Sequence, residues 1–285
     1  MAIKINGKAH AAALRGDVAV RISSLNTAPA LAVILVGDNP ASLVYIGAKK
    51  AACEEVGVNF TLHHMPENTS QEELIKKIDE LNADSLVHGI LAQQPFPAHI
   101  DKHAAVSRIN PVKDVDCLHS ANLGLMLLNQ GRLLPCTPAG IIKLLKGENI
   151  EISGKRAVVV GRGDIVGKPL SYLLLAENAT VTVCHSRTVD LPSVTREADI
   201  LVAAIGIPKF ITVDMVKPGA VVIDVGVSRL ENGKLCGDVD FKACREKASY
   251  ITSVIGGVGP MTVATLMENC LEAMLWQTSD SEGIK

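Results

Sequence analysis

Aromatic side chains are nearly missing from this chain: one tryptophan, three tyrosines and four phenylalanines stand among 285 residues. So few rings leave little surface on which bases could stack, and a formal net charge of -2 at pH 7 gives no electrostatic footprint for a polyanion. No basic stripe interleaved with aromatics is found, so nucleic acid is not an expected partner. The seven cysteines are an odd number, with no C-x-x-C pair and no zinc-like spacing. That argues for reduced thiols in a cytoplasm and leaves no metal site expected. The opening MAIKINGKAH has no apolar leader core, and charges or turns break the later apolar runs short of the ~20 residues a membrane span needs. A cytoplasmic protein without membrane contact is the expectation.

What the chain does have is glycine turns set between apolar strands. Its length suffices for two α/β lobes, each with its own core. The stretch RAVVVGRGDIVGKP is organised around an abrupt stop. Residues 157–160 read as a buried parallel strand, and Gly161, Gly163 and Gly167 form a G-x-G-x-x-x-G array where a nucleotide-binding fold needs its first tight turn. The first two glycines would clear a pyrophosphate path, and the third would let a helix over 170–175 pack close to the strand with its free N–H groups toward the anion. The spacing is one residue longer than the usual fingerprint, so a turn that serves only packing fits it too. Strands at 180–184, 200–204 and 220–224 follow with short helical or turn material between them, which predicts a doubly wound sheet.

A site for NAD places Asp or Glu at the end of the second strand, where it bonds the ribose hydroxyls. This chain has Cys184-His185-Ser186-Arg187 there. The turn offers a hydroxyl and a cation with no carboxylate, which suits a 2'-phosphate, and Arg162 is a second candidate for the same group. Both arginines also fit the description of solvated surface residues.

In the first half, residues 11–25 predict a helix and 30–36 (ALAVILV) a continuous strand. Asn39 then caps a helix with Pro40 at its first position, and Gly57 ends it. Ser42, Tyr45 and Lys49 share one face of that helix. They form either an amphipathic stripe or a site, since the helix follows the carboxyl end of a strand, where open α/β sheets hold ligands. A strand over 59–65, a helix over 71–81 and a strand over 85–91 lead to Gln93, held by the prolines of QQPFP either as a site residue or to close its loop. His88 reads as a core histidine. After a helix over 99–109, PVKDVD is expected to be extended, with Asp114 and Asp116 toward one side. It is either a solvated turn or a site with one carboxylate paired to Lys113. A helix over 122–129 follows, and Thr137 is expected to cap the next with Pro138 first. IGGVGP then opens a long helix over 261–276, buried along Leu266, Met267, Cys270, Leu271, Met274 and Leu275. Its glycine loop is a second ligand-like turn.

Taken together, GDNPAS with YIGAK, GILAQQPFP, PVKDVD, PCTPAG, VVVGRGDIVGKP, ATVTVCHSRT, KPGAVVIDVG, GDVD and GGVGPMT span nearly the whole chain. On these motifs the sequence resembles the bifunctional methylenetetrahydrofolate dehydrogenase and methenyltetrahydrofolate cyclohydrolase family. The resemblance implies an α/β protein of two lobes. Residues 1–140 would form a folate-binding catalytic domain, rejoined by a C-terminal helix over 267–285, and residues 141–266 a Rossmann-like NADP-binding domain. It implies a cytoplasmic homodimer acting on one-carbon derivatives of tetrahydrofolate. Such an enzyme oxidises 5,10-methylenetetrahydrofolate with NADP and hydrolyses the methenyl product to 10-formyltetrahydrofolate, reversibly, in one cleft.

By the same resemblance Lys49 is tied to the cyclohydrolase step, Tyr45 lies against the pterin, Gln93 assists at the reacting carbon and Asp116 holds the amino-pyrimidine edge. Gly257 and Pro260 are further substrate positions. Arg162 and Ser186 stand where the family meets the 2'-phosphate, in a cofactor site that also takes in Gly161, Gly163, Asp164, Ile165, Arg187 and Gly206. The chain departs from the family's V-Q-L-P-L-P at Ala92, Gln94 and Phe96, has Cys117 in place of glycine, Gly163 in place of serine and Ile255 in place of proline. None of these removes a site side chain among Lys49, Tyr45, Gln93 and Asp116. A dehydrogenase for another small molecule, a dehydrogenase without cyclohydrolase activity and a nonenzymatic NADP-binding regulator are the competing readings.

Overall fold

The structure is a computed structural model that describes residues 1–230 and 233–282. β1 (Ile3–Ile5) and α1 (Gly7–Ser23) open the chain. β2 (Ala30–Val36), α2 (Pro40–Val56), β3 (Asn59–Met65), α3 (Gln71–Ala83) and β4 (Gly89–Ala92) alternate, followed by α4 (Lys102–Arg108), α5 (Ser120–Leu127) and α6 (Cys136–Gly147). A second alternation runs through β5 (Arg156–Val160), α7 (Gly167–Ala176), β6 (Thr180–Cys184), α8 (Leu191–Thr195), β7 (Ile200–Ala203) and β8 (Val221–Asp224). β9 (Ser228–Arg229), β10 (Leu235–Cys236), α9 (Phe241–Cys244), β11 (Tyr250–Thr252) and α10 (Val258–Glu282) complete it. Two compact units result, one of Met1–Ala11 with Thr137–Thr262 and the other of Ala12–Cys136 with Val263–Lys285. Among the described residues no helix is long and apolar enough to cross a membrane.

The second of these units is built on a three-stranded parallel sheet in the order β3-β2-β4. β2 is central and nearly all of it is buried, as a strand flanked on both edges and covered on both faces must be, and its unbroken ALAVILV run reflects that. Local signals set α2: Asn39 accepts from the N–H groups of Ala41 and Ser42, Pro40 stands first, and Gly57 closes the helix at φ 84° while donating to Cys53 O. Ser70 and Glu73 form a reciprocal cap on α3. Leu266, Met267, Cys270 and Leu271 of α10 share one core with Val33, Leu35, Ile46 and Cys53.

The other unit carries a six-stranded sheet ordered β1-β11-β8-β7-β5-β6, parallel throughout. From β5 the chain steps outward to β6, then returns to the other side of β5 as β7. The fold therefore changes direction between β5 and β7, the crevice where open α/β sheets bind ligands. Gly161 leaves β5 at φ 121°, and a Cβ there would stand 2.2 Å from Ala204 O. At Gly167 a Cβ would stand 2.2 Å from Gly161 O, so α7 is packed on the turn backbone itself.

Several local expectations are corrected. The strand expected over 85–91 begins at Gly89, because Asp84 accepts from Leu86 N and folds the preceding residues into a turn. Thr137 does not cap α6, which starts at Cys136; its hydroxyl pairs with that of Thr262 at 2.9 Å. α10 starts at Val258, so Gly259 and Pro260 lie in its first turn, where proline loses no helical hydrogen bond. The two compact units meet along the chain at 136/137 and 262/263, where 140 and 267 were expected. Ile3 to Ile5 pair in parallel with Tyr250 to Thr252, which places the chain's first residues in the six-stranded unit.

The glycine contacts make a paired prediction. Gly167→Ala forces a methyl group into backbone and is expected to cost about 1–3 kcal/mol. Gly163→Ala meets nothing within 4 Å and should change stability by less than about 0.5 kcal/mol. Urea unfolding of both variants checks this, and equal midpoints would refute the close-approach account.

Candidate active site

Helix α2 carries the amine on which the three-stranded unit converges. Lys49 is only 8% exposed, and so is Gln93, which follows β4 directly. Lys49 Nζ donates to Gln93 Oε1 at 2.7 Å. Gln93 Nε2 donates to Gln94 O at 2.6 Å, and Gln93 N donates to Ile34 O of β2 at 2.9 Å. The expected loop closure is made by its side-chain nitrogen, and its side-chain oxygen accepts from the lysine. Tyr45, one turn before Lys49 on α2, is 43% exposed.

Burial lowers the pKa of Lys49 below 10.5, while the negative charge of Asp116 opposes that shift. Cys53, Cys136 and Cys270 surround the same amine, but burial pushes the Cys53 thiol up to about 12 and the other two well above their ordinary value. They are neutral at physiological pH, so Asp116 supplies the local negative charge. The arrangement holds a lysine that gives up its proton more readily than a solvated one, next to an amide that fixes its direction.

The segment before α5 does not pair a carboxylate with Lys113. Pro111–Lys113 is a 3-10 turn, and Lys113 Nζ donates to Leu81 O, Asn82 O and Asp84 O at 3.1, 2.9 and 2.7 Å. Three donors fit the carbonyls that α3 leaves open at its C-terminus. The two aspartates are also unequal. Asp114 is fully buried and accepts from His119 N at 2.7 Å and Asn122 Nδ2 at 3.1 Å. Burial raises its pKa to about 6. Asp116 is half-buried and acts on Lys49 by its charge. His88 is not a core histidine: it is half-buried just before β4 and accepts from Ala30 N through Nδ1 at 3.0 Å.

In the six-stranded unit the candidate nucleotide positions stand at neighbouring strand ends. Gly161, Arg162, Gly163, Asp164 and Ile165 follow β5, Ser186 and Arg187 follow β6, and Gly206 follows β7. Arg162, Ser186 and Arg187 are exposed. The turn after β6 is closed internally, with His185 N donating to Thr188 Oγ1 at 2.9 Å and Arg187 N to His185 Nδ1 at 3.1 Å. Asp164 is ion-paired with Lys168 at 2.6 Å. Open space at Gly163, backbone at close quarters around Gly161 and Gly167, and cations beyond β6 without a carboxylate fit a dinucleotide bearing a 2'-phosphate. Gly257 is a packing glycine: a Cβ there would stand 2.3 Å from Ser253 O. With Pro260 it lies at the start of α10, in the six-stranded unit, whereas Tyr45, Lys49, Gln93 and Asp116 lie in the other.

Three buried polar residues escaped the sequence reading. Asn269 donates through Nδ2 to Val115 O and Leu134 O, both at 2.8 Å, and so anchors the residue before Asp116. Asp224 and Asp238 are buried in the six-stranded unit. A carboxylate ending an otherwise apolar strand, as in AVVID, was the available signal.

Family models match both parts of the chain: the tetrahydrofolate dehydrogenase/cyclohydrolase catalytic domain over residues 5–116 and the NAD(P)-binding domain of the same family over residues 135–278. The bifunctional protein FolD of Bacillus licheniformis is 53% identical over 272 residues, covering 94% of this chain and 96% of that protein. Among solved structures, the bifunctional methylenetetrahydrofolate dehydrogenase/cyclohydrolase FolD of Campylobacter jejuni superposes with a TM-score of 0.94 at 45% identity, covering 97% of this chain and 100% of that one. The Trypanosoma brucei methylenetetrahydrofolate dehydrogenase-cyclohydrolase, complexed with NADP and an inhibitor, does so with a TM-score of 0.93 at 38% identity over 97% of this chain and 98% of that one.

Asp114 yields a pH prediction. Its pKa is about 6 in the fold against 3.8 for the free group. Between those values the folded chain holds a proton that the unfolded chain has lost, so this group's contribution to stability falls as pH rises through the window. Asp114→Asn keeps an acceptor oxygen without the charge. Its stability relative to the parent should rise by roughly 2 kcal/mol between about pH 4 and pH 7. Denaturant unfolding at both pH values measures this, and a pH-independent difference would refute it.

Proposed function

The chain belongs to the tetrahydrofolate dehydrogenase/cyclohydrolase family, and from that premise we propose how its own residues carry the two reactions. The protein oxidises 5,10-methylenetetrahydrofolate to the methenyl compound and hydrolyses the latter to 10-formyltetrahydrofolate. The observation that carries the reading is the buried hydrogen bond from Lys49 Nζ to Gln93 Oε1.

NADP, when bound, supplies the hydride acceptor. Hydride departure is driven by lone-pair donation from the pterin nitrogens, so the protein's task in that step is to orient substrate and exclude water. We assign Gly161, Gly163, Asp164, Ile165 and Gly206 to holding the dinucleotide, and Arg162, Ser186 and Arg187 to its 2'-phosphate. Gly257 and Pro260 are assigned to the substrate side on the family resemblance. Asp116 accepts hydrogen bonds from the amino and ring N–H groups of the pterin, and Tyr45 covers the ring.

Hydrolysis requires proton removal. Water adds to the methenyl carbon and loses one proton. The bond from that carbon to N5 then breaks as the remaining hydroxyl proton is lost to form the formyl C=O and N5 takes up a proton, so one proton is released overall. Lys49, with its pKa lowered by burial, takes the proton; a bound methenyl cation lowers it further, because it opposes a second positive charge. Gln93 holds the amine in place and orients the water. On the family resemblance we also propose a cytoplasmic homodimer, for which a solution mass of twice the chain is the check.

Two measurements test these assignments. Lys49→Met should lower methenyltetrahydrofolate hydrolysis by about a hundredfold or more while hydride transfer falls far less, with the methenyl compound accumulating during the dehydrogenase reaction. Equal factors in separately measured initial rates would eliminate the base role. Arg162→Ala should raise KM for NADP about tenfold or more and leave KM for NAD nearly unchanged. A parent enzyme equally efficient with both cofactors would refute the phosphate-site assignment.

A further inference from the structure

Two buried aspartates stitch three chain segments together at the carboxyl end of the six-stranded sheet. Asp224 ends β8, and its Oδ1 accepts from Gly226 N at 3.1 Å and Asp238 N at 2.9 Å, while its Oδ2 accepts from Val239 N at 3.2 Å. Asp224 N itself donates to Thr252 Oγ1 at 2.7 Å. The 237–239 segment is thereby fixed beside β8. From it Asp238, with 0% of its surface exposed, reaches the exit of β7. Its Oδ2 accepts from two consecutive N–H groups, Ile205 at 2.7 Å and Gly206 at 3.0 Å.

Those two residues follow Ala204, whose carbonyl is pressed against Gly161 and whose N–H donates to Val160 O at 2.8 Å. The held turn is therefore one wall of the crevice between β5 and β7, and the Gly161 turn is the other. The second oxygen of Asp238 has no partner among the described residues and lies against Gly226, where a Cβ would stand 2.1 Å from it. A buried carboxylate with one oxygen left unbonded is costly for a fold to retain.

We propose that Asp238 is a positioning residue for dinucleotide binding, holding the Ile205–Gly206 turn in the conformation that receives the cofactor. The inference rests on the assignment of the β5–β7 crevice to NADP. Its consequence is selective. Hydrolysis of methenyltetrahydrofolate consumes no dinucleotide and depends on Lys49 and Gln93 in the other unit, so it should not follow Asp238.

The test compares Asp238→Ala and Asp238→Asn in the full-length protein, reading NADP affinity by calorimetric titration, KM and kcat for hydride transfer, and cyclohydrolase rate without dinucleotide. Asp238→Ala leaves two N–H groups without their acceptor, so Kd and KM for NADP should rise about tenfold or more. At saturating NADP, kcat should change little, and the cyclohydrolase rate should stay within about twofold, the scatter expected of residues that share no partners. Asp238→Asn retains an oxygen and should fall between the parent and Asp238→Ala. If the alanine variant does not fold, the asparagine variant decides by the same readouts. Unchanged NADP affinity in the folded variants, or proportional loss of both activities, overturns the inference while leaving the cofactor site intact. A parent protein with no affinity for NADP overturns the cofactor assignment and this inference with it.

Discussion

The hydrogen bond from Lys49 Nζ to Gln93 Oε1 sets the terms for the three-stranded unit, because an amine removed from water must be neutralised, paired or bonded. Helix α2 brings the lysine inward only because Asn39, Pro40 and Gly57 fix where the helix begins and ends, and so which face its side chains share. Strand β4 brings the glutamine, and the bond from Gln93 N to Ile34 O ties that residue to the central strand. Asn269, from α10, anchors the carbonyl of Val115 and with it the segment that bears Asp116. The chemistry asked of Lys49 follows from opposed effects: burial favours its neutral form and Asp116 restrains the shift. The buried thiols nearby add apolar volume without adding charge.

The six-stranded unit solves a different problem. A dinucleotide site needs backbone N–H groups presented at the ends of parallel strands, and that requires turns to approach one another without side chains between them. Gly161 and Gly167 meet this need through contacts that a single methyl group would break. Loops so close to a ligand have little packing of their own to hold them. The carboxylates of Asp224 and Asp238 do that from beneath, each accepting backbone donors from a segment remote in sequence. Lys113 does the converse in the other unit, donating three hydrogen bonds to carbonyls at the end of α3. In each case a buried polar head group substitutes for regular secondary structure where the backbone has none.

How much was legible in advance depended on how local the determining interaction is. β2, β3 and β6 have the expected ends, because an apolar or β-branched run bounded by glycine, proline or asparagine carries its own boundaries. The cap of α2 was legible for the same reason, the donor and acceptor being two and three residues apart. The strand expected over 85–91 shrank to β4 because a four-residue Asp84 turn outcompeted β propensity. Thr137 had the local form of a cap, yet its hydroxyl pairs with Thr262, a partner no window of sequence contains. Lys113 beside two aspartates suggested an ion pair, but the segment turns at Pro111–Lys113 and the amine meets three carbonyls at the end of α3.

The sequence by itself determined the two alternations of strand and helix, the glycine turn after β5, the absence of a carboxylate after β6 and the family to which these motifs belong. All are properties of contiguous residues. Tertiary structure alone decided that β1 joins the sheet of the distant half, that Lys49 is buried against Gln93 with its pKa lowered, that Asp114 and Asp116 differ in burial, and that Asp238 holds the turn after β7. Each of these depends on desolvation or on a hydrogen bond between residues tens to hundreds of positions apart. Such terms exist only once the chain has folded.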